Sequence, residues 1–187
     1  MEKRKIFGLI IGILAFMALM AGLTLAWLNW SSSTKITGSS SCFNINYTGA
    51  GFENGSVKLT NTYSDTGTAM ASVTMQLNTT ECKGIDEGTG TLYLNTTSFN
   101  KADGTTTLLD SNSQLNYAVV VDDATSPVKT GVITAASDLA IYDNIQINST
   151  SHTYKVYLWI NGANADSSYL GASYSGYIHA SAKQVVK

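Results

Sequence analysis

Apolar positions along this chain follow two different rules. From Ile6 to Trp30 they run on without a charge, and IFGLIIGILAFMALMAGLTLAWLNW holds only Thr24 and Asn29 as polar side chains. A helix over Ile6 to Ala26, rising about 1.5 Å per residue, would cover roughly 30 Å, the thickness of a bilayer's hydrocarbon core. Beyond Ser41 the apolar residues instead alternate with polar ones, the period-two mark of half-buried strands.

The alternation is easily followed. Phe43, Ile45 and Tyr47 alternate with Asn44 and Asn46, and Val57 and Leu59 with Lys58 and Thr60 after a turn cluster containing Asn54-Gly55. Ala71, Val73, Met75 and Leu77 share a parity, and Leu92 and Leu94 continue the pattern after the GIDEGTG turn. Leu115, Tyr117, Val119 and Val121 form another face; apolar Ala118 and Val120 opposite them indicate a strand buried on both sides. Val132 and Ile133 mark a shorter strand, and Leu139, Ile141, Ile145 and Ile147 keep one parity across Asp143. In the last two strands Tyr154, Val156, Leu158 and Ile160 oppose Lys155, Tyr157 and Trp159, while Tyr174, Gly176, Ile178 and Ala180 oppose Tyr177, His179 and Ser181.

No segment after Trp30 keeps a helical period. The expected fold is all-β, an antiparallel two-sheet β-sandwich preceded by one N-terminal hydrophobic helix. A jelly roll and an immunoglobulin-like fold both suit the strand count. The cysteine and tryptophan pattern of antibody domains is missing, which favours a jelly-roll-like arrangement. Residues 1–30 read as a transmembrane anchor or signal peptide, 31–41 (SSSTKITGSSS) as a Ser/Thr/Gly-rich stalk, and 42–187 as an extracellular β-sandwich domain.

Lys3, Arg4 and Lys5 precede the apolar run and belong on the cytoplasmic side, which sends the body outside. Trp27 and Trp30 fall where amphipathic rings favour the outer membrane interface. Thr24-Leu25-Ala26 resembles a small-x-small cleavage site loosely, and the apolar core is longer than a signal peptide's usual middle region, so the anchor reading leads. The place is then the cell membrane with an external C-terminal domain, or the cell surface after secretion if the leader is cut.

Composition sharpens this. Only 13% of residues are charged while 44% are hydrophobic, and Thr, Ser, Asn and Gly make up the difference. Such a balance suits an external β-protein better than a cytoplasmic enzyme or a disordered tail. The body is mildly acidic without basic clusters, so it offers no footprint for nucleic acid. Cys42 and Cys82 both lie beyond the apolar run, and in an oxidising compartment the pair is most simply a disulfide. Closing a loop of about forty residues stabilises a fold by roughly 3–4 kcal/mol in the chain-entropy model.

Candidate chemistry is sparse. His152 and His179 are the only histidines, and neither lies in an HExxH-type helix. They read as an exposed strand-end residue and a solvent-face residue. Asp86-Glu87, Asp103-Gly104 and Asp122-Asp123 sit in turns and read as turn chemistry rather than calcium ligands. Ser is abundant, but GxSxG is absent. No catalytic residue, metal site or cofactor is expected. The aromatics Tyr157, Trp159 and Tyr177 are the one suggestive surface set: on the outer face of neighbouring strands they could stack on sugar rings or cover a partner, the competing reading being a second inner core face.

With leader and strands in hand, the stretch LTLAWLNWSSSTKITGSS followed by alternating strands resembles the start of TasA/camelysin-like exported proteins of Gram-positive bacteria. YKVYLWINGANADSSYLGASYSGYIHA is similar to the close of surface proteins with that layout. The resemblance implies a jelly-roll body and, for some members, matrix fibres in which an N-terminal strand of one subunit completes the sheet of the next. Camelysin-like members are classed as peptidases, but the chain carries no matching catalytic motif. The expected role is therefore structural or adhesive at a bacterial cell surface, and not enzymatic. A camelysin-like peptidase and a carbohydrate-binding module are the alternatives. Expected partners are the membrane, through the helix, and other copies of the chain, by strand donation.

Overall fold

The computed structural model describes residues 42–48, 58–64 and 69–185. The apolar run with Lys3, Arg4, Lys5, Trp27 and Trp30, the stalk and the Asn54-Gly55 turn lie outside the described residues. Within them the chain forms nine strands and a short 3-10 turn, Ser167–Tyr169.

The strands are β1 (Phe43–Thr48), β2 (Lys58–Thr60), β3 (Ala69–Leu77), β4 (Gly88–Asn100), β5 (Leu115–Val121), β6 (Lys129–Val132), β7 (Asp138–Ile147), β8 (His152–Asn161) and β9 (Ser173–Gln184). They make two sheets. The larger has the order β1-β3-β8-β5-β6, with β2 running parallel to the end of β8; the smaller is β7-β4-β9. Every other pairing is antiparallel. From β3 onwards the chain passes between sheets at each connection except β5 to β6.

The alternation read from the sequence sets which face is buried. Val73, Met75 and Leu77 of β3, Leu115 and Val119 of β5, and Val156, Leu158 and Ile160 of β8 join Leu92 and Leu94 of β4, Ile141, Ile145 and Ile147 of β7, and Ile178 and Ala180 of β9 in a single hydrophobic cluster. Ala118 and Val120 are buried too, so β5 is covered on both faces as expected. Each fully buried aliphatic side chain contributes about 1.5–3 kcal/mol of transfer free energy.

Cys42 and Cys82 are joined by a disulfide, with Cα atoms 5.2 Å apart. The bond lies where β1 meets the end of β3: Phe43 faces Leu77, and the Asn78 N–H donates to the Cys42 carbonyl at 2.7 Å. Asn78 then caps its own turn, accepting from the N–H groups of Thr80 and Glu81 on its side-chain oxygen. The crosslink thus fastens β1, an edge strand among the described residues, at the residue that precedes it.

Near β1's other end, the Tyr47 hydroxyl reaches the smaller sheet and accepts from the Ala180 N–H at 2.9 Å. Ala180 lies on β9, which among the described residues has a strand neighbour on one side only. At Gly88 the Phe43 ring lies so close to the backbone that a Cβ would overlap it.

All the register shifts belong to the smaller sheet. β7 carries two extra residues opposite Gly90–Tyr93, with Asn144 in the left-handed region at φ 53°. Because two are added, Ile141 and Ile145 keep the same parity. β4 carries one extra residue against β9 between Thr96 and Ser98, and this reverses its alternation. Phe99 is therefore buried although its parity opposes that of Leu92 and Leu94.

Candidate functional site

The three aromatics singled out from the sequence do not form one patch. Tyr157 and Trp159 lie on β8 in the larger sheet, whereas Tyr177 lies on β9 in the smaller one, because the chain changes sheet between them. Tyr157 and Trp159 point away from the cluster shared by the two sheets. They are nevertheless buried, at 6% and 7% exposure. The Tyr63 ring, from the segment after β2, packs against both, at 5.4 Å from Tyr157 and 6.0 Å from Trp159. A sugar ring would have to displace Tyr63.

His179 also departs from its expected solvent-facing place. It takes the outward parity of β9 but is only 4% exposed. Its ring stacks on Tyr93, its cross-strand partner, at 4.7 Å with an interplanar angle of 5°, and Tyr177 leans on it at 6.1 Å. Nε2 meets Asp138 Oδ1 of β7 at 2.7 Å, while Nδ1 is buried without a hydrogen-bond partner among the described residues. The contacts on this ring come from all three strands of the smaller sheet.

His152 opens β8 as expected, but it is engaged rather than free. Its Nδ1 meets Asp122 Oδ2 at 2.8 Å, and Asp122 Oδ1 accepts the Thr153 N–H. The Asp122 N–H in turn donates to the Thr153 carbonyl, in the left-handed conformation (φ 53°) that Asp adopts more readily than most residues. These bonds, first the one from Thr153 and then that from His152, hold the Asp122 carboxyl below its ordinary range. Lys155 reaches Asp123 beside it at 2.9 Å. Asp103 likewise serves its own turn: bonds from Thr106 and Thr105 lower its carboxyl to about 2.

A concavity lies elsewhere, between the β4–β5 and β8–β9 connections, and has a volume of about 310 Å³. The first connection supplies Lys101, Asp110, Asn112 and Gln114; the second supplies Asn164, Asp166 and Tyr169. Tyr169 ties them together. Its hydroxyl accepts the Gln114 N–H at 3.1 Å, and its ring leans on buried Phe99 at 5.9 Å. Behind it the Asn161 N–H donates to the Gln114 carbonyl at 2.8 Å.

Each aspartate is held by its own turn. Asp110 Oδ1 accepts the Asn112 N–H at 2.7 Å, and Asp166 Oδ1 accepts the Ser168 N–H at 2.8 Å. Ser168 and, less strongly, the Lys101 ammonium keep the Asp166 carboxyl below its usual range. Asp110 Oδ2 accepts no hydrogen bond from a described residue, whereas Asp166 is bonded by the Ser168 side chain as well as by its N–H. These positions were missed in the sequence because the two loops lie far apart along the chain. The one available signal was the density of Asn and Asp in NGANADSS and DSNSQ.

No protein-family model, curated protein or solved structure matches this chain.

Proposed function

We propose that this chain is an exported structural or adhesive protein of a bacterial cell surface, whose body is a jelly-roll-like β-sandwich held outside the membrane. The observation that carries the reading is the Cys42–Cys82 disulfide, which belongs to an oxidising compartment. It follows an uncharged run long enough to span a bilayer and a basic cluster that favours the cytoplasmic side. The sandwich is supported by side chains of both sheets sharing one cluster, and by a chain that repeatedly changes sheet.

Self-association belongs to the same proposal. If the leader is cut after Ala26, WLNWSSSTKITGSS becomes a free segment ahead of β1, able to add to a sheet edge of a neighbouring copy. Trp27–Lys187 should then form filaments visible by electron microscopy, and a chain starting at Ser41 should stay monomeric on sedimentation. A retained leader predicts no filaments.

The deciding experiment combines the mature N-terminus with thiol state in protein recovered from cells. Surface protease accessibility and a linked Cys42–Cys82 pair are the expected results. Protein found in the cytoplasm with both thiols free overturns the reading, as does peptidase activity that a chelator abolishes.

A further inference from the structure

We infer that the concavity between the β4–β5 and β8–β9 connections is a binding subsite for a neutral sugar ring, and that adhesion, which this inference takes from the function proposed above, runs through it.

The chemistry of the wall selects the ligand. Asp110 and Asp166 each take a backbone N–H on one oxygen, and the Ser168 side chain bonds Asp166 as well; with about four acceptor positions on a carboxylate, both keep others open. Such positions accept from hydroxyl groups in charge-assisted hydrogen bonds, which are stronger than neutral ones. Asn112 and Asn164 add side-chain amides that both donate and accept. A ring carrying several hydroxyls answers that mixture. A phosphate or an acidic polymer does not, since two carboxylates face a single ammonium, Lys101. That ammonium also opposes a divalent cation, which would find one oxygen of each carboxylate already committed to backbone.

Apolar contact is available at the same place. Tyr169 and Leu108 line the concavity, and Leu108 is only 6% exposed. The C–H face of a pyranose can rest there while its hydroxyls meet the aspartates. A volume of 310 Å³ falls at the small end of ligand pockets, roughly 300–1,000 Å³, and suits a single ring rather than a large cofactor. Little ordering remains for binding to impose, because the turns of both aspartates and the Tyr169 hydroxyl are already hydrogen-bonded.

The test uses the full chain in a sugar-free detergent on an array of neutral hexose and N-acetylhexosamine oligomers, where multivalent display compensates for weak single sites. We expect binding to at least one neutral glycan. Asp110→Asn and Asp166→Asn should each weaken it by about tenfold or more, as expected for loss of a charge-assisted hydrogen bond. Asp122→Asn, outside the concavity, should leave it unchanged. Thermal midpoints and an intact disulfide verify that the variants are folded. Competition by the free monosaccharide identifies a single-ring subsite; competition only by the oligomer, or equal binding by parent and both variants, overturns it. So does an array on which nothing binds, or calcium binding without sugar that both substitutions abolish. Thiol state and location test the surface reading separately: cytoplasmic protein that still binds glycan would remove that reading and leave the subsite standing.

Discussion

The two sheets share one core and differ in regularity. The larger keeps perfect register along every pair, and its first strand is fastened by the disulfide. The smaller has three strands, no crosslink and every register shift. Their outward faces differ accordingly. On the larger sheet the outward aromatics Tyr157 and Trp159 are closed over by Tyr63, while on the smaller sheet Tyr93, His179 and Asp138 link three strands by stacking and a hydrogen bond. Alternation fixes which way a side chain points. Whether that side is wet depends on what the next connection lays across it.

Breaking the crosslink should have the largest effect. Cys42→Ser with Cys82→Ser is expected to cost about 3–4 kcal/mol in global stability, seen as a lower denaturant midpoint. Hydrogen exchange should show β1 amides losing protection before those of β4 and β9. Equal loss in both sheets would erase the proposed difference in how they are fastened.

Trp159→Ala should come next, at about 3 kcal/mol, because a buried indole leaves a cavity. Tyr177→Ala, at a partly exposed position, should cost clearly less in the same thermal melts. A more delicate probe is Tyr63→Ala, which should red-shift tryptophan emission as Trp159 meets water. An unchanged spectrum would mean that Tyr63 is not what shields it.

Asn144→Val tests the irregular sheet alone. Its left-handed backbone disfavours a β-branched residue, so a loss of about 1–2 kcal/mol is expected, with Asn144→Gly nearly neutral. The smallest effect should be Asp122→Asn. The Asp122 carboxyl is lowered in the folded state, so its stabilisation is complete above the unfolded value of about 3.9 and is lost as pH falls through the folded one. Melts from pH 6 down to about pH 2 should therefore differ between parent and variant only at the upper end, and parallel curves throughout would show that the carboxylate contributes nothing there.

Much of the larger sheet is legible in the sequence. Val73, Met75, Val119, Val156 and Leu158 keep strict period two, and nothing interrupts them. The second half of β4 was not legible, since the extra residue near Thr97 reverses parity and Phe99 appears on the wrong side of a simple alternation. β7 survived because its two added residues cancel. His179 could be given its face but not its burial, which depends on Tyr93 across the strand pair and Asp138 on a third strand. The concavity was hidden for a related reason: Asp110 and Asp166 line one concavity because β5 and β8 are neighbours in the sheet.

The Tyr47 hydroxyl has a consequence for colloidal behaviour. It occupies the Ala180 N–H on the open side of β9, where another chain's backbone would otherwise find a donor. Tyr47 stands on β1, and β1 is fastened at its start by the disulfide. Oxidation at Cys42 therefore does more than stiffen a loop: it keeps a stopper seated in an otherwise sticky margin. A reducing milieu would loosen the stopper before the core melts, so clumping should precede unfolding, and light scattering should rise at temperatures where circular dichroism is still native.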